Sequence, residues 1–270
     1  MGSLSFIASL AAFFLLPLVD AAYAWRGLAL HGQAPRDSID AMGMFRAAPS
    51  LNAEIAAWKQ GFRLVAGVDE AGCGPLAGPV VAGAVILDPD HPRQWWSDLR
   101  DSKMLLEPER DRLSALIRDE CLWGVGLASH AYIDEYGLTA ARKHAMSRAV
   151  EALPVRPHML LIDAMSLHQY RHRSIIHGDA LVCSIAAGAI VAKVARDAMM
   201  TDEHERYPHY GFDSNRGYAT PNHKRALDEH GPCDIHRRLF APVRAALHAR
   251  GIAVEVRGLL VEPEQELVIA

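Results

Sequence analysis

Residues 64–87 read LVAGVDEAGCGPLAGPVVAGAVIL. Two apolar runs of strand length flank a glycine- and proline-rich turn, which predicts a β-hairpin with both arms largely buried. Asp69 and Glu70 close the first arm, on a segment where charge should be rare. Side chains alternate across a strand, so neighbouring acids ordinarily face opposite ways. A bend into the turn at residues 72–74 would let both carboxylates approach one point. Buried acids require a partner, and the stretch holds no lysine or arginine. A divalent cation would serve; the plainer alternative is a pair of acids capping a loop.

The 270 residues around this hairpin allow one sizeable domain with additions. Half of them are hydrophobic and 22% are charged, the balance of a soluble globular protein. A formal net charge of -4 gives no global sign of nucleic-acid binding, so any such surface must be local. Four cysteines (Cys73, Cys121, Cys183, Cys233) are widely spaced, with no C-x-x-C pair. That usage fits reduced thiols in a cytoplasmic protein and speaks against a disulfide frame or a zinc site.

Residues 4–24 are almost wholly apolar and end on Ala22-Tyr23-Ala24, which looks like a signal-peptidase site. No lysine or arginine precedes the run, however, and Pro17 and Asp20 interrupt a stretch barely long enough to span a bilayer. We expect translation to begin at Met42 or Met44, with a membrane anchor or a true signal as the alternative. Residues 26–50 read as a linker. The expected organisation is therefore an N-terminal extension over 1–50, a main domain over 51–250 and a tail over 251–270.

Beyond the hairpin, helices are predicted over residues 51–60, 107–119, 139–153 and 183–206. Arg142, Lys143 and Arg148 read as a solvated face of the third, and Ala186, Ala187 and Gly188 would let the fourth pack close to a sheet. A strand-like run covers residues 121–131. Residues 159–163 (MLLID) are a short apolar strand ending on Asp163, and residues 174–179 (SIIHGD) repeat that pattern, ending on Asp179. Sites gather at strand ends in open α/β sheets. One such acid is uninformative; three places holding four acids point to a metal-dependent centre. Residues 207–248 are aromatic, basic and loop-rich, where cations can neutralise phosphate and tyrosines can stack on a sugar or base.

The hairpin motif, VDEAGCGPLAGPV over residues 68–80, resembles the opening motif of bacterial ribonuclease HII, usually D-E-x-G-R-G-P. Similarities recur through residues 64–248: Asp101-Ser102-Lys103 resembles a D-S-K element, residues 161–163 L-I-D, and residues 217–223 G-Y-x-T-x-x-H. The chain departs from the pattern at Cys73, where the family has arginine, at His177 for lysine, and at Ala186, Ala189 and Leu239 for serines. The resemblance implies a ribonuclease H-like α/β fold: a central mixed sheet, helices on both faces and a C-terminal helical region. It implies an endonuclease that cuts RNA in RNA–DNA hybrids and on the 5′ side of ribonucleotides embedded in duplex DNA. By the same resemblance Asp69, Glu70 and Asp163 bind Mn²⁺ or Mg²⁺ and Asp179 is the fourth acid. Gly72, Cys73, Gly74, Lys103, Lys193 and Tyr218 would meet substrate, with Arg196 a further residue able to face phosphate. From local sequence alone, Lys103 equally reads as an exposed lysine after a helix cap, Arg196 as a helix-surface residue and Tyr218 as a half-buried loop aromatic. A monomer with no organic cofactor and no membrane partner is expected. A weakened, purely binding homologue and a metal nuclease of different substrate remain the alternatives.

Overall fold

The computed structural model describes residues 48–256 and 259–261. The apolar segment, both candidate starts and the acidic end of the chain lie outside those residues. The elements run α1 (Asn52–Lys59), β1 (Val65–Ala71), β2 (Val80–Ile86), α2 (Glu107–Glu120), β3 (Leu122–Ala128), α3 (His130–Tyr136), α4 (Leu138–Glu151), β4 (Met159–Asp163) and β5 (His172–Ile175). They continue with α5 (Gly178–Leu181), α6 (Cys183–Arg206), α7 (Phe212–Asn215), α8 (Pro221–His230), α9 (Ala241–His248), β6 (Val254–Val256) and β7 (Leu259–Val261).

The main sheet has the order β3-β2-β1-β4-β5. Strand β2 is antiparallel to both neighbours, whereas β1, β4 and β5 are mutually parallel. The expected mixed sheet is thus present, and the topology sends the C-terminal ends of the parallel strands to one edge. Asp69 and Glu70 lie near that end of β1, Asp163 closes β4, and Asp179 follows β5.

Both faces are covered. Ala141, Ala145, Met146 and Ala149 of α4 pack on Ala66, Val68, Ala82 and Ala84. On the other face Leu113 and Ile117 of α2 join Ile190 and Val191 of α6 against Val85 and Leu87. Each of these fully buried branched side chains contributes roughly 2 kcal/mol. Strand β2 is buried on both sides, as its unbroken apolar run requires. Helix α6 comes unusually close because a Cβ at Gly67 would lie 2.0 Å from the Ser184 carbonyl carbon, and one at Gly83 2.3 Å from the Gly188 oxygen.

Two expectations need correction. The link between β1 and β2 is not a tight turn but a loop over residues 72–79 that lies against the C-terminal region. Leu76 N–H donates to the Gly217 carbonyl (2.8 Å), Gly78 N–H to that of Ile235 (2.9 Å), and Arg237 N–H to that of Leu76 (2.8 Å). Leu76 and Ala77 complete the apolar clusters of that region, with Val243 and Leu247 and with Met200 and Phe212. Likewise Asp179 does not end a strand. β5 stops at Ile175, and Asp179 rides on α5, reached through His177 in the left-handed region (φ 58°).

Candidate active site

The two neighbouring acids reach the site without the expected bend. Strand register continues through Ala71, with Asp69 opposite Gly83 and Glu70 opposite Ala82. Alternation therefore persists. Glu70 lies on the α4 face with Ala66 and Val68, and Asp69 on the α6 face with Val65 and Gly67. They come to one place because both stand at the C-terminal end of the strand.

Asp69 is 5% exposed. Burial, then the charges of Glu70 and Asp163, push its carboxyl well above the usual range, against the pull of the Glu70 N–H donated to its Oδ1 at 2.7 Å. Asp163 is raised as well, chiefly by burial; the Gly178 N–H (2.7 Å to Oδ1) opposes this, while Asp179 and Glu70 add to it. On the far side Lys103 Nζ stands 3.4 Å from Asp179 Oδ2. The D-S-K loop thus brings its lysine to the acids as expected. Burial works against the Lys103 charge, but Asp101, Asp179 and Asp69 outweigh it and lift the pKa.

Glu70 has two unlike oxygens. Its Oε1 accepts from Arg142 Nε at 2.7 Å and from the Cys73 thiol at 3.2 Å. Its Oε2 is buried and has no partner. Arg142 was expected on a solvated face; it turns inward instead, and only tertiary proximity between α4 and β1 reveals it. The Cys73 thiol, pushed up to about 12 by burial and then by the Glu70 charge, stays protonated and remains a donor. An orphaned carboxylate oxygen among acids that raise one another is the chemistry a hard divalent cation satisfies. Among the described residues no three His, Cys, Asp or Glu side chains are gathered closely enough to hold an ion as they stand.

The glycine loop is built from behind. Buried Arg237 donates to the carbonyls of Gly72 (2.6 Å), Cys73 (3.0 Å), Gly78 (3.0 Å) and Pro79 (3.2 Å). Arg196, 1% exposed, donates to those of Pro79, Ala77 and Arg216. Arg196 therefore does not face phosphate. Both guanidiniums satisfy backbone acceptors that would otherwise be buried without donors. Burial, then Arg196, lowers Arg237 to about 9, which leaves it charged at neutral pH. Lys193 is also withdrawn: its ammonium pairs with Asp197 at 2.6 Å, beside Arg110, and is not brought to the acids. Gly72 is buried with φ +94°, whereas Gly74 is exposed and a Cβ there would meet only the Tyr218 ring, at 3.8 Å. Tyr218 is 43% exposed beside that glycine. The glycines, the tyrosine and the acids thus adjoin, as expected.

The family model described as "Ribonuclease HII" matches residues 66–243, which takes in every one of these residues. The chain belongs to the ribonuclease HII family. It is 46% identical over 187 residues to the ribonuclease HII of Idiomarina loihiensis, covering 68% of this chain and 98% of that one. Among solved structures it resembles the ribonuclease H2 from Pyrococcus horikoshii OT3, with a TM-score of 0.59, 26% identity, and coverage of 67% of this chain and 96% of that one. It shares its fold with Bst-RNase HIII in complex with Mn²⁺ (TM-score 0.57, 18% identity, 78% and 80% covered). The fold is ribonuclease H-like. The chain is an endoribonuclease of RNA–DNA hybrids, and members of its family are metal-dependent phosphodiester hydrolases.

Proposed function

We propose that Asp69, Glu70 and Asp163 hold two divalent ions, Mg²⁺ or Mn²⁺, with Asp179 as the fourth acid, and that the bond cut in DNA lies 5′ of an embedded ribonucleotide. The observation that carries the reading is the buried, unpartnered Oε2 of Glu70 at the strand end where these acids meet. Bound there, the ions supply an activated water, charge neutralisation on the phosphate and help for the leaving oxygen. Oxygen-only donors suit these hard cations, and a fold that holds Mn²⁺ in Bst-RNase HIII supports the assignment.

The chain's own groups would do the rest. Lys103, beside Asp179, offers charge to the scissile phosphate. The main chain at residues 72–74, fixed by Arg237, meets the ribose 2′-hydroxyl, which both donates and accepts hydrogen bonds. The half-exposed Tyr218 packs on the same sugar. Residues 51–250 act as the catalytic domain, in a cytoplasmic monomer needing no organic cofactor. Among the described residues no helix is long and apolar enough to cross a membrane.

The test is duplex DNA carrying one ribonucleotide, incubated with Mg²⁺, with Mn²⁺ or with chelator. Cleavage at the 5′ side with metal, and none with chelator or in Asp163→Asn that still binds the duplex, is the expected result. Wild-type turnover in chelator would remove the metal assignment. Tight binding without cleavage in either ion would favour the weakened homologue suggested by Cys73.

A further inference from the structure

Cys73 stands where the motif that this chain resembles has arginine, and a guanidinium stands at the carboxylate this position touches. Cys73 Sγ and Arg142 Nε converge on the same oxygen, Glu70 Oε1, at 3.2 and 2.7 Å. One comes from the glycine loop and the other from α4, an element far away in sequence. Arg142 is anchored through Nε alone; among the described residues its two Nη groups make no hydrogen bond to protein, and its side chain is 24% exposed. A guanidinium held at Nε and open at both Nη presents the fork geometry that suits a phosphate oxygen pair. Arg196 and Arg237, also beside the loop, have every guanidinium nitrogen engaged by a backbone carbonyl. Lys103 is paired with Asp179 rather than with Glu70.

We infer that Arg142 is a substrate-binding residue: it contacts a backbone phosphate of the nucleic acid beside the glycine loop, and so carries from α4 a positive charge that the neutral Cys73 does not supply from the loop. Its bond to Glu70 Oε1 also holds that carboxylate with Oε2 free. This rests on the proposed carboxylate site. A lysine at position 142 would keep the charge but could not grip Glu70 and a phosphate together through one planar group.

The experiment is steady-state cleavage of the one-ribonucleotide duplex across a salt series by wild type, Arg142→Ala, Arg142→Lys, Cys73→Arg and the Cys73→Arg/Arg142→Ala double variant. Arg142 is partly exposed on a helix, and matching circular dichroism and melting temperature will show that each variant folds. Arg142→Ala should raise KM about tenfold at moderate salt. One lost phosphate contact should also flatten the salt dependence, so that raising salt from about 50 to about 200 mM weakens wild type about threefold more than the variant. Arg142→Lys should keep the steep salt dependence with a reduced kcat. Cys73→Arg should restore KM in the Arg142→Ala background and gain little in wild type. Unchanged KM and salt slope in Arg142→Ala, or an equal gain from Cys73→Arg in both backgrounds, would overturn the inference. Asp163→Asn in the same series separates the two readings. If it is inactive while Arg142→Ala behaves as wild type, only the role of Arg142 fails; if it is active, the carboxylate site itself fails.

Discussion

Four acids at one edge of the sheet repel one another, and Asp69 and Asp163 both carry raised pKa values in consequence of burial and of their neighbours' charges. Buried acids that repel one another cost stability. Asp163→Asn keeps an oxygen for the Gly178 N–H and removes a charge. It should raise the stability of metal-free protein by on the order of 1 kcal/mol while abolishing both cleavage and the melting-temperature gain on adding Mn²⁺. A lower metal-free melting temperature would contradict this. Elsewhere the buried His223 and His236 form a chain with one consistent proton arrangement. Cys233 N–H donates to His236 Nδ1 (3.0 Å), His236 Nε2–H to His223 Nε2 (3.0 Å), and His223 Nδ1–H to the Tyr218 carbonyl (2.8 Å). Burial, then His223, lowers His236 from 6.5 to about 3, and burial lowers His223. Folded His236 is thus neutral where the unfolded chain takes up a proton. Its contribution is complete above the unfolded value of 6.5 and falls away as pH drops toward 3, by up to about 1.4 kcal/mol per pH unit. Melting curves from pH ~7 to ~5 should show a shallower decline for His236→Gln than for wild type; equal slopes would reject this.

At the scale of the element, the loop over residues 72–79 is the part whose backbone matters more than its side chains. Gly72 and Gly74 are not equivalent there. A Cβ at Gly72 would lie 2.1 Å from Arg196 Nε and 2.8 Å from the Pro79 oxygen, in a left-handed backbone. Arg196 cannot yield cheaply, because it is buried and bound to three carbonyls. Gly72→Ala should therefore cost on the order of 2 kcal/mol and most of the activity. Gly74→Ala should leave the melting temperature unchanged and raise KM, since its only near neighbour is the Tyr218 ring. Thermal melts and cleavage kinetics on the pair check both halves. Arg196 and Arg237 sit in segments that read as surface or groove because a lone arginine in sequence carries no sign of the carbonyls it will meet. The loop and the C-terminal region supply those acceptors only once folded together.

Across the whole molecule, α1 and the residues before it are tied to the start of α6. Glu54 accepts the Ser184 N–H at the start of α6 (2.7 Å), and Ser50 pairs with the chain at Leu181 and Cys183. A chain beginning at Met42 should match the full chain in melting temperature and in kcat/KM. One beginning at Gly61 should lose at least about 2 kcal/mol. A large loss in the first case, or none in the second, would show that the boundary lies elsewhere. The sequence by itself determined where the strands and their closing acids fall and, through its motifs, which fold to expect. Apolar runs of strand length each closing on or near a carboxylate and helices of the right period are local patterns that single out Asp69, Glu70, Asp163 and Asp179, and the motif-bearing loop carries the resemblance that implies the mixed sheet and the family. The tertiary structure alone decided who serves those residues. Arg142 reached Glu70 from α4, Arg196 and Arg237 turned away from phosphate to hold the loop, and Lys193 was spent on Asp197. Whether a cation faces solvent, a carboxylate or a carbonyl depends on what packs over it, and that is fixed by contacts between segments far apart in the chain.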